Sequence, residues 1–432
     1  VRPEDPFAPR TPRILALSEF FPHPPDRMVF GVFQRLRCTL QGLARAGHLD
    51  AAFLWSDNYQ PPDPIVEEHR KALAAAWSFS GALRIISVSS GRFSEWHGHP
   101  LRALYGLLRG AASFMHNRPT LRCCGPHQLA RLRHALEEFQ PDLILAHRTG
   151  VAGALMRLSG ALPPILLDLE DIDHVKIRRI RQDAAGRRDG LRTAFYEWIA
   201  RRSERRAARL AQCTMVCSEP DRAALQSVAP GARIEVVPNT ASPSAPLPPA
   251  DAPSALFVGV AHFPPHRDAS HWLATEIWPR VRQRVPDARL LLVGDGTPEV
   301  PADRSAGGIE AIGFAEDLGP HYSRARICVC PIRSGSGTRI KIIEAAMRAR
   351  AIVSTSIGAE GLDFEPGREL LIADDEAGFA DACAELLLNP VRCATIGAAA
   401  RIRAAARYAP DAVMTRIAAL ARELMPSARG AP

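Results

Sequence analysis

Short apolar runs alternate with longer amphipathic stretches along most of the chain. The runs are about four to eight residues long and bounded by turn residues, which is typical of buried parallel strands. The stretches between them carry apolar side chains three or four positions apart, which predicts helices. Strands are predicted at residues 13–18, 51–55, 83–88, 143–146, 165–168, 213–217, 234–237, 255–260, 309–313, 327–330 and 351–354. This alternation predicts an α/β protein with two doubly wound sheets.

The chain length predicts two domains. At 432 residues it is too long for one ordinary core. Residues 240–254, TASPSAPLPPADAPS, are rich in proline, alanine and serine and poor in large apolar groups, which favours a linker. We therefore predict an N-terminal domain over residues 1–239, a second domain over 255–408 and a C-terminal helix within 409–432. A helix is also predicted at residues 101–115.

One segment, residues 325–362, combines a strand, a glycine-rich turn, a helix and a second strand. Gly335 and Gly337 let the backbone turn sharply and approach a ligand closely. Thr338 is a suitable N-cap for a helix running to about Arg350. This order places free backbone N–H groups and the positive end of a helix dipole at the carboxyl edge of a parallel sheet. Such an edge is suited to phosphate.

The side chains that follow the turn extend this interpretation. Arg339 and Lys341 add two positive charges in the first helical turn, and the planar guanidinium of Arg339 suits phosphate oxygens. Glu344 lies six residues after Thr338, about 9 Å further along a helix axis. Its carboxylate can therefore reach from the phosphates to the hydroxyl pair of a sugar or ribose.

The sequence GSGTRIKIIEAAMRARAIVSTSIGAEGL resembles the donor-binding segment of retaining glycosyltransferases of family 4, in the subgroup that carries G-x-G-T-R-x-K-x-x-E-A. The resemblance implies a GT-B fold, with two Rossmann-like domains facing a cleft and a final helix that crosses back to the first domain. It also implies a nucleoside diphosphate sugar as donor substrate, no further cofactor and no metal. By this resemblance Glu344 holds the ribose. The family's partner glutamate, eight residues earlier, is replaced by Ser336.

The resemblance assigns candidate site residues in both halves. In the second half, the donor-binding candidates are Gly259, Gly335, Ser336, Gly337, Thr338, Arg339, Lys341 and Glu344. In the first half, Gly31 lies in a loop that resembles the family's glycine loop. His147, at the end of a predicted strand, resembles the histidine that faces the donor sugar, and a surface position beside a helix is the alternative. Arg339, Lys341, His147 and Asp168 form the predicted catalytic set.

An acidic run follows the strand that ends at Asp168. Clustered carboxylates at Asp168, Glu170, Asp171 and Asp173 are able to hold a divalent metal. The doubly wound pattern argues against a metal, because GT-B enzymes generally need none. Orientation of an acceptor hydroxyl by Asp168 or Asp171 and simple capping of the next helix both stay open.

Positive charge is the main feature of the composition. The net charge is +8, and all but three of the 54 basic residues are arginine. Such a field favours nucleotide sugars, anionic lipid or nucleic acid, but no zinc finger or RNA-recognition motif accompanies it, so we expect no nucleic acid partner. Residues 177–210 carry a dense arginine face with Phe195 and Trp198 at near-helical spacing. This face predicts either peripheral membrane contact or an ordinary solvated helix.

The remaining observations concern the cellular compartment. No apolar run approaches the ~20 residues of a membrane span, and the N-terminal residues lack a secretory apolar segment. The nine cysteines do not match zinc-binding spacing and are interpreted as reduced core thiols. We therefore expect a cytoplasmic protein, with peripheral contact at the inner face of the membrane as an extension.

Together these features predict a retaining glycosyltransferase. The acceptor would be a hydroxyl on a glycan, a lipid-linked molecule or a small molecule, in surface polysaccharide or glycolipid biosynthesis. Two alternatives stay open. One is a degenerate GT-B protein that binds nucleotide or glycan without turnover, suggested by the missing glutamate. The other is a GT-B enzyme of different chemistry, such as a nucleotide-sugar epimerase.

Overall fold

The structure, a computed structural model, describes residues 10–20, 31–55, 63–87, 126–183, 187–296, 307–335 and 337–426. The chain divides into two compact units. One comprises Val1–Val237 together with Val413–Pro432, and the other comprises Pro238–Ala412. The helix predicted at residues 101–115 and the candidate Ser336 lie outside the described residues.

The first unit is built on seven parallel strands. They are β1 (Arg13–Ser18), β2 (His48–Trp55), β3 (Leu83–Ser87), β4 (Leu143–His147), β5 (Ile165–Asp168), β6 (Cys213–Val216) and β7 (Ile234–Val236). The helices between them are α1 (Gly31–Ala44), α2 (Asp63–Trp77), α3 (Pro126–Phe139), α4 (Arg148–Leu155), α5 (Asp173–Asp183), α6 (Arg187–Leu210) and α7 (Glu219–Val228). The strand order is β3-β2-β1-β4-β5-β6-β7, so the winding direction reverses between β1 and β4.

The second unit repeats this plan with six parallel strands. They are β8 (Ser254–Val258), β9 (Arg289–Val293), β10 (Ile309–Gly313), β11 (Ile327–Cys330), β12 (Ala351–Ser354) and β13 (Leu371–Ile372). Its helices are α8 (Pro264–Trp272), α9 (Trp278–Arg284), α10 (Gly319–Arg324), α11 (Ile340–Met347), α12 (Glu376–Leu388) and α13 (Pro390–Arg407), and a π-helical turn at Leu273–Ile277 joins α8 to α9. The order β10-β9-β8-β11-β12-β13 reverses between β8 and β11. The predicted α/β class with two doubly wound sheets is therefore confirmed.

Apolar residues fill both faces of each sheet. In β4 and β11 every residue is buried, because parallel strands are covered by helices on both sides. This explains why the strands read as continuous apolar runs in the sequence. Among the described helices, none is long and apolar enough to cross a membrane.

The segment predicted as a linker, residues 240–254, is held against the second unit. Its prolines have no N–H to donate, so its carbonyl oxygens need partners from elsewhere. Guanidinium groups supply them, at 2.6 Å from Arg401 to Ser244, 2.7 Å from Arg350 to Pro248 and 2.7 Å from Arg326 to Ala250. The segment is thus fastened by arginines that are distant in sequence and that its own composition does not reveal.

The last helix, α14 (Pro410–Leu424), packs against α1 within the first unit. Gly42 lies at their contact, where an added Cβ would be 2.9 Å from Cβ of Ile417. We expect Gly42→Val to lower the free energy of unfolding by about 2–3 kcal/mol, because a branched side chain overpacks this contact. Denaturant unfolding measures the change.

Gly190 provides the matched control for this prediction. It is also a helical glycine of the first unit, but nothing lies within 4 Å of an added Cβ there. Gly190→Val is expected to cost less than about 1 kcal/mol. Equal losses at the two positions would contradict the packing of α14 on α1.

Candidate functional site

The glycine turn after β11 adopts backbone angles that favour glycine. Gly335 has φ of +107° and Gly337 has φ of +77°. A Cβ on Gly335 would lie 3.3 Å from Nη2 of Arg339 and 3.7 Å from Cγ of Pro265. The turn therefore lies against the first turn of α8, the helix that follows β8, at the carboxyl edge of the second sheet and beside the point where its winding reverses. Ligands of doubly wound sheets bind at this kind of edge.

The predicted capping of the next helix by Thr338 is wrong. Arg339 occupies the N-cap position, and α11 begins at Ile340 without a side-chain cap. The Thr338 hydroxyl instead accepts a hydrogen bond of 2.9 Å from Nδ2 of the buried Asn239. Because Asn239 lies 99 positions before Thr338 in the chain, this contact was not predictable from local sequence.

Helix α11 is also shorter than predicted. It ends at Met347 rather than at about Arg350. Ala349 has φ of +57°, a left-handed conformation that terminates a helix. The helix is therefore only eight residues long, and Lys341 and Glu344 lie one turn apart on one of its faces.

The Arg339 guanidinium folds back over the glycine turn. Its Nη1 donates to the carbonyl oxygen of Gly337, and its Nη2 lies 3.5 Å from the carbonyl oxygen of Ser334. The positive charge of Arg339 is therefore placed directly on the turn that is predicted to bind phosphate. Both of these acceptors belong to the turn itself, so the side chain fastens the turn in this conformation.

Lys341 is partly buried beside an imidazole and a phenyl ring. Its Nζ is 3.1 Å from Nε2 of His266 and 4.9 Å from the ring centre of Phe257. Burial lowers the pKa of Lys341 to about 8; the charge of Arg339 also lowers it, whereas Cys330 and Glu344 raise it. A lysine in this setting changes its charge close to physiological pH.

His266 influences the protonation state of Lys341. The amide of Val260 donates to Nδ1 at 3.0 Å, so in a neutral ring the proton is on Nε2. Burial, followed by the charges of Lys341 and Arg339, lowers the pKa of His266 to about 2, so the ring is neutral. The Nε2–H group of His266 faces Nζ of Lys341, and only an uncharged amine has a lone pair that can accept this hydrogen bond. The contact therefore adds to the effects that lower the pKa of Lys341, and with a pKa of about 8 the amine is still mostly charged at pH 7.

Glu344 is held by a buried tyrosine from helix α10. The hydroxyl of Tyr322, whose side chain is only 1% exposed, bonds to the Glu344 carboxylate. The Arg348 guanidinium stacks 4.4 Å from the centre of the Tyr322 ring and donates to the backbone oxygen of Glu344 at 3.1 Å. Burial raises the pKa of Tyr322 well above its usual value, so it stays a hydrogen-bond donor. The direction of the Glu344 carboxylate is thus fixed before any ligand binds.

The backbones that follow β8 and β9 touch at two glycines. A Cβ on Gly294 would lie 1.9 Å from the carbonyl oxygen of Gly259, and one on Gly259 would lie 2.8 Å from Cζ of Phe257. Gly259, a predicted donor-binding residue, therefore lies where no side chain fits. Gly294 was not among the predicted site residues, although its place after an apolar run was a usable signal.

In the first unit, His147 lies at the equivalent edge. It pairs in register with Ser18 across the β1–β4 switch point, and its Nδ1 is 2.8 Å from Oγ of Ser18. Burial, and then the charges of Arg148 and Arg35, lower the pKa of His147 to about 3, although Asp168 raises it. Within the described residues, Nε2 is buried and has no hydrogen-bond partner. A neutral imidazole with an unsatisfied nitrogen is suited to a polar ligand group.

Asp168 is committed to the interior of the first unit. Its Oδ1 accepts from Nε and Nη2 of Arg35 at 2.8 and 2.6 Å, and its Oδ2 accepts from Thr39 at 3.2 Å. Burial lowers the pKa of Arg35 while the carboxylate of Asp168 raises it, and the net shift is upward. Arg35 also donates to the carbonyl oxygen of Val237 at 2.9 Å. Asp168 thus positions the end of β7 through Arg35.

The acidic run after β5 neutralises an arginine in the described structure. Nη2 of Arg148 lies 2.8 Å from Oε2 of Glu170 and 3.7 Å from Oδ2 of Asp171, and its guanidinium stacks 4.7 Å above the Phe20 ring. No group of three metal-ligating side chains converges within the described ranges. The remaining first-half candidate, Gly31, is the first residue of α1 and follows the undescribed residues 21–30.

Comparison with protein families matches both units. Residues 30–240 match the model of a glycosyl transferase 4-like domain, and residues 252–389 match the model of glycosyl transferases group 1. A protein of the cps region of Klebsiella pneumoniae, described as uncharacterized, is 29% identical over 134 residues. That match spans 29% of this chain and 34% of the relative.

Solved structures show the same two-unit fold. Sucrose-phosphate synthase from Thermosynechococcus elongatus is similar with a TM-score of 0.65 at 19% identity, covering 95% of this chain and 99% of that one. TarM, a protein of S. aureus, gives 0.66 at 11%, covering 96% and 99%. HepE of Anabaena gives 0.59 at 14%, covering 94% and 99%. With family models matching both of its units, the chain belongs to the group 1 glycosyltransferases and has the GT-B fold.

Proposed function

We propose that this enzyme transfers a sugar from a nucleoside diphosphate sugar to a hydroxyl acceptor, with retention at the anomeric carbon. The observation that carries the proposal is the grouping of Arg339, Lys341 and Glu344 around the glycine turn at the switch point of the second sheet. Two cations and one fixed carboxylate suit the two parts of a nucleotide tail, the diphosphate and the ribose.

The donor roles follow from the positions of these groups. The diphosphate would bind to the backbone around Gly335, Ser336, Gly337 and Thr338. It would also approach the backbone of Gly259 closely, because that residue has no side chain. Arg339 and Lys341 would stabilise the charge that develops on the leaving diphosphate, which is preorganised electrostatic catalysis. Glu344, oriented by Tyr322, would hold the ribose hydroxyls.

The first unit would contribute the sugar and acceptor contacts. Nε2 of His147 has no hydrogen-bond partner within the described residues, and it is suited to a sugar hydroxyl because a nitrogen of a neutral imidazole can donate or accept a hydrogen bond. Asp168 has both oxygens occupied, so we assign it a positioning role through Arg35. Gly31 would open the backbone at the start of α1 to the same substrates.

The complexes described for similar structures support this donor and acceptor class. HepE is described in complex with UDP and with UDP-glucose. TarM is described with UDP and α-GlcNAc-glycerol. The cps-region relative supports a place in surface polysaccharide or glycolipid biosynthesis. We place the reaction in the cytoplasm, with peripheral contact at the inner face of the membrane.

A panel of UDP-, GDP- and dTDP-sugars, each offered with and without candidate acceptors, tests the proposal. Release of free nucleoside diphosphate and a product that keeps the donor's anomeric configuration are the expected results. Tight nucleotide binding without release from any donor would instead support a degenerate binding protein. Conversion of the donor's sugar without transfer would support an epimerase.

Donor binding is expected to depend on pH through Lys341. The amine is charged below its pKa of about 8, and only the charged form attracts a diphosphate. The dissociation constant of the nucleoside diphosphate that binds is therefore expected to rise about tenfold from pH 7 to pH 9, since affinity is lost as Lys341 loses its proton. Isothermal titration across this range measures the effect.

Replacement of His266 tests the cause of this pH dependence. In His266→Gln an amide oxygen can accept from a charged Lys341, so the midpoint is expected to move upward by on the order of one pH unit. His262→Gln is the matched control, because His262 lies four residues before His266 but is exposed, and its Nε2 is 3.6 Å from Oδ2 of Asp295. An unchanged midpoint in His266→Gln would contradict the assigned contact.

A further inference from the structure

Helix α6 carries a surface stripe that the proposed reaction does not use. Phe195 and Trp198 are 47% and 42% exposed, and Tyr196 beside them is 38% exposed. The rings of Phe195 and Trp198 stack at 6.4 Å with an angle of 12° between their planes. Three neighbouring large aromatic side chains are thus held in an ordered arrangement at the surface of a single helix.

Arginines continue the stripe toward the end of the helix. Residues 195, 198, 202, 205 and 209 are spaced three or four apart, so they share one helical face about 21 Å long. The Arg202 guanidinium lies 5.5 Å from the centre of the Trp198 ring, and Arg205 and Arg209 are exposed. We call these five residues the ring-and-arginine stripe.

The acidic residues of this part of α6 are directed inward. Between residues 195 and 209 the only acids are Glu197 and Glu204, which are 8% and 1% exposed. Glu204 bonds to Nδ1 of the buried His174 on α5. The outward face therefore presents aromatic rings and positive charge without a compensating carboxylate of its own.

We propose that the ring-and-arginine stripe docks the enzyme on the surface of an anionic lipid bilayer. Aromatic side chains settle at the level of the lipid headgroups, and arginines bind the phosphates of those headgroups. Parallel pairing with a second copy of the chain would bring arginine against arginine, whereas the headgroup phosphates of an anionic bilayer complement every arginine of the stripe. The inference rests on the first unit alone, so it stands or falls independently of the proposed transfer reaction.

Sedimentation of the full chain with vesicles tests the proposal. Vesicles that contain equimolar phosphatidylglycerol and phosphatidylcholine are expected to bind the protein. Vesicles of pure phosphatidylcholine are not expected to bind it. Phe195→Ser/Trp198→Ser and Arg205→Gln/Arg209→Gln are each expected to weaken binding about tenfold or more. Raising the salt concentration should release the protein, since exposed charges are screened.

The matched control removes two exposed arginines from another helix of the same unit. Arg131→Gln/Arg133→Gln on α3 is expected to change vesicle binding by less than about threefold. An equal loss in this control would show that net charge alone drives binding and would overturn the assignment. Every substituted side chain in both sets is exposed, so all of the variants are expected to fold. Thermal melting of each variant checks this.

A fluorescence measurement gives an independent readout of insertion. The difference in emission between the wild type and Trp198→Phe reports on Trp198 among the six tryptophans. A shift to shorter wavelength on addition of anionic vesicles is expected. No shift would overturn the proposed insertion of the rings, and retention of a short RNA duplex in place of vesicles would overturn the choice of lipid as the partner.

Discussion

Replacing Lys341 by methionine is expected to lower kcat/KM for sugar transfer by a factor of about 100 to 1,000. The substitution keeps most of the side chain's volume but removes the charge that would stabilise the departing diphosphate. Loss of one preorganised group at such a position typically costs about 3–4 kcal/mol of transition-state stabilisation. Because the leaving group gains charge only during the reaction, kcat is expected to fall more than affinity for the donor. Steady-state kinetics with the best donor of the nucleotide-sugar panel measures both quantities.

The chain provides an unusually direct control, because it contains only two other lysines, Lys71 and Lys176. Lys71→Met removes the same charge from the exposed face of α2 in the first unit. Its kcat/KM is expected to stay within about twofold of the wild type. A Lys341→Met enzyme with wild-type kcat would contradict the assigned role, even if the donor bound less tightly.

Asp168→Asn is expected to lower the free energy of unfolding by about 3–5 kcal/mol. Asp168 and Arg35 are 0% and 3% exposed and are joined by two hydrogen bonds. Neutralising the carboxylate leaves a buried guanidinium without its counter-charge, and this penalty is larger than the net stabilisation the pair provides. Denaturant unfolding at constant pH measures the change.

Two further variants separate charge burial from general damage. Asp381→Asn breaks an exposed pair with Arg284 and is expected to cost less than about 1 kcal/mol. Arg35→Met combined with Asp168→Leu removes both buried charges and is expected to recover part of the stability lost in Asp168→Asn. A double variant that is less stable than Asp168→Asn would show that hydrogen bonding to Val237 and Thr39 dominates instead.

Local pattern was sufficient to predict the glycine turn but not the start of its helix. Gly335 and Gly337 adopt the positive φ angles for which glycine is suited, as their positions predicted. Thr338 has the residue type of a good N-cap, and yet its hydroxyl is bonded to Asn239, 99 positions away. Capping preferences are local and weak, so a tertiary hydrogen bond is enough to override them.

The partners of the predicted site residues were missed for the same reason. His266 lies 75 positions from Lys341, and nothing in the sequence of α8 indicates that its ring meets the amine. Tyr322 carries no signal in the sequence that marks it as a site residue, although its hydroxyl orients Glu344. In each case the side chain that orients the charged group belongs to a different helix of the second unit from the charged group itself.

Asp168 shows how far position along a strand carries a prediction. Its place at the carboxyl end of β5 favoured contact with a substrate, since that edge of a parallel sheet carries ligand groups. The structure turns the carboxylate toward Arg35, 133 positions earlier in the chain. Position along a strand predicts the edge on which a side chain lies but not the neighbour that it bonds.

The sequence by itself determined the two doubly wound sheets, the location of the glycine turn and the cations and carboxylate that follow it, because all of these depend on short-range periodicity and on the conformational freedom of glycine. Only the tertiary structure decided the lowered pKa of Lys341, the direction of Glu344 and the burial of Asp168. Those properties arise from burial and from partners that chain folding brings together, and no spacing within a single element records them.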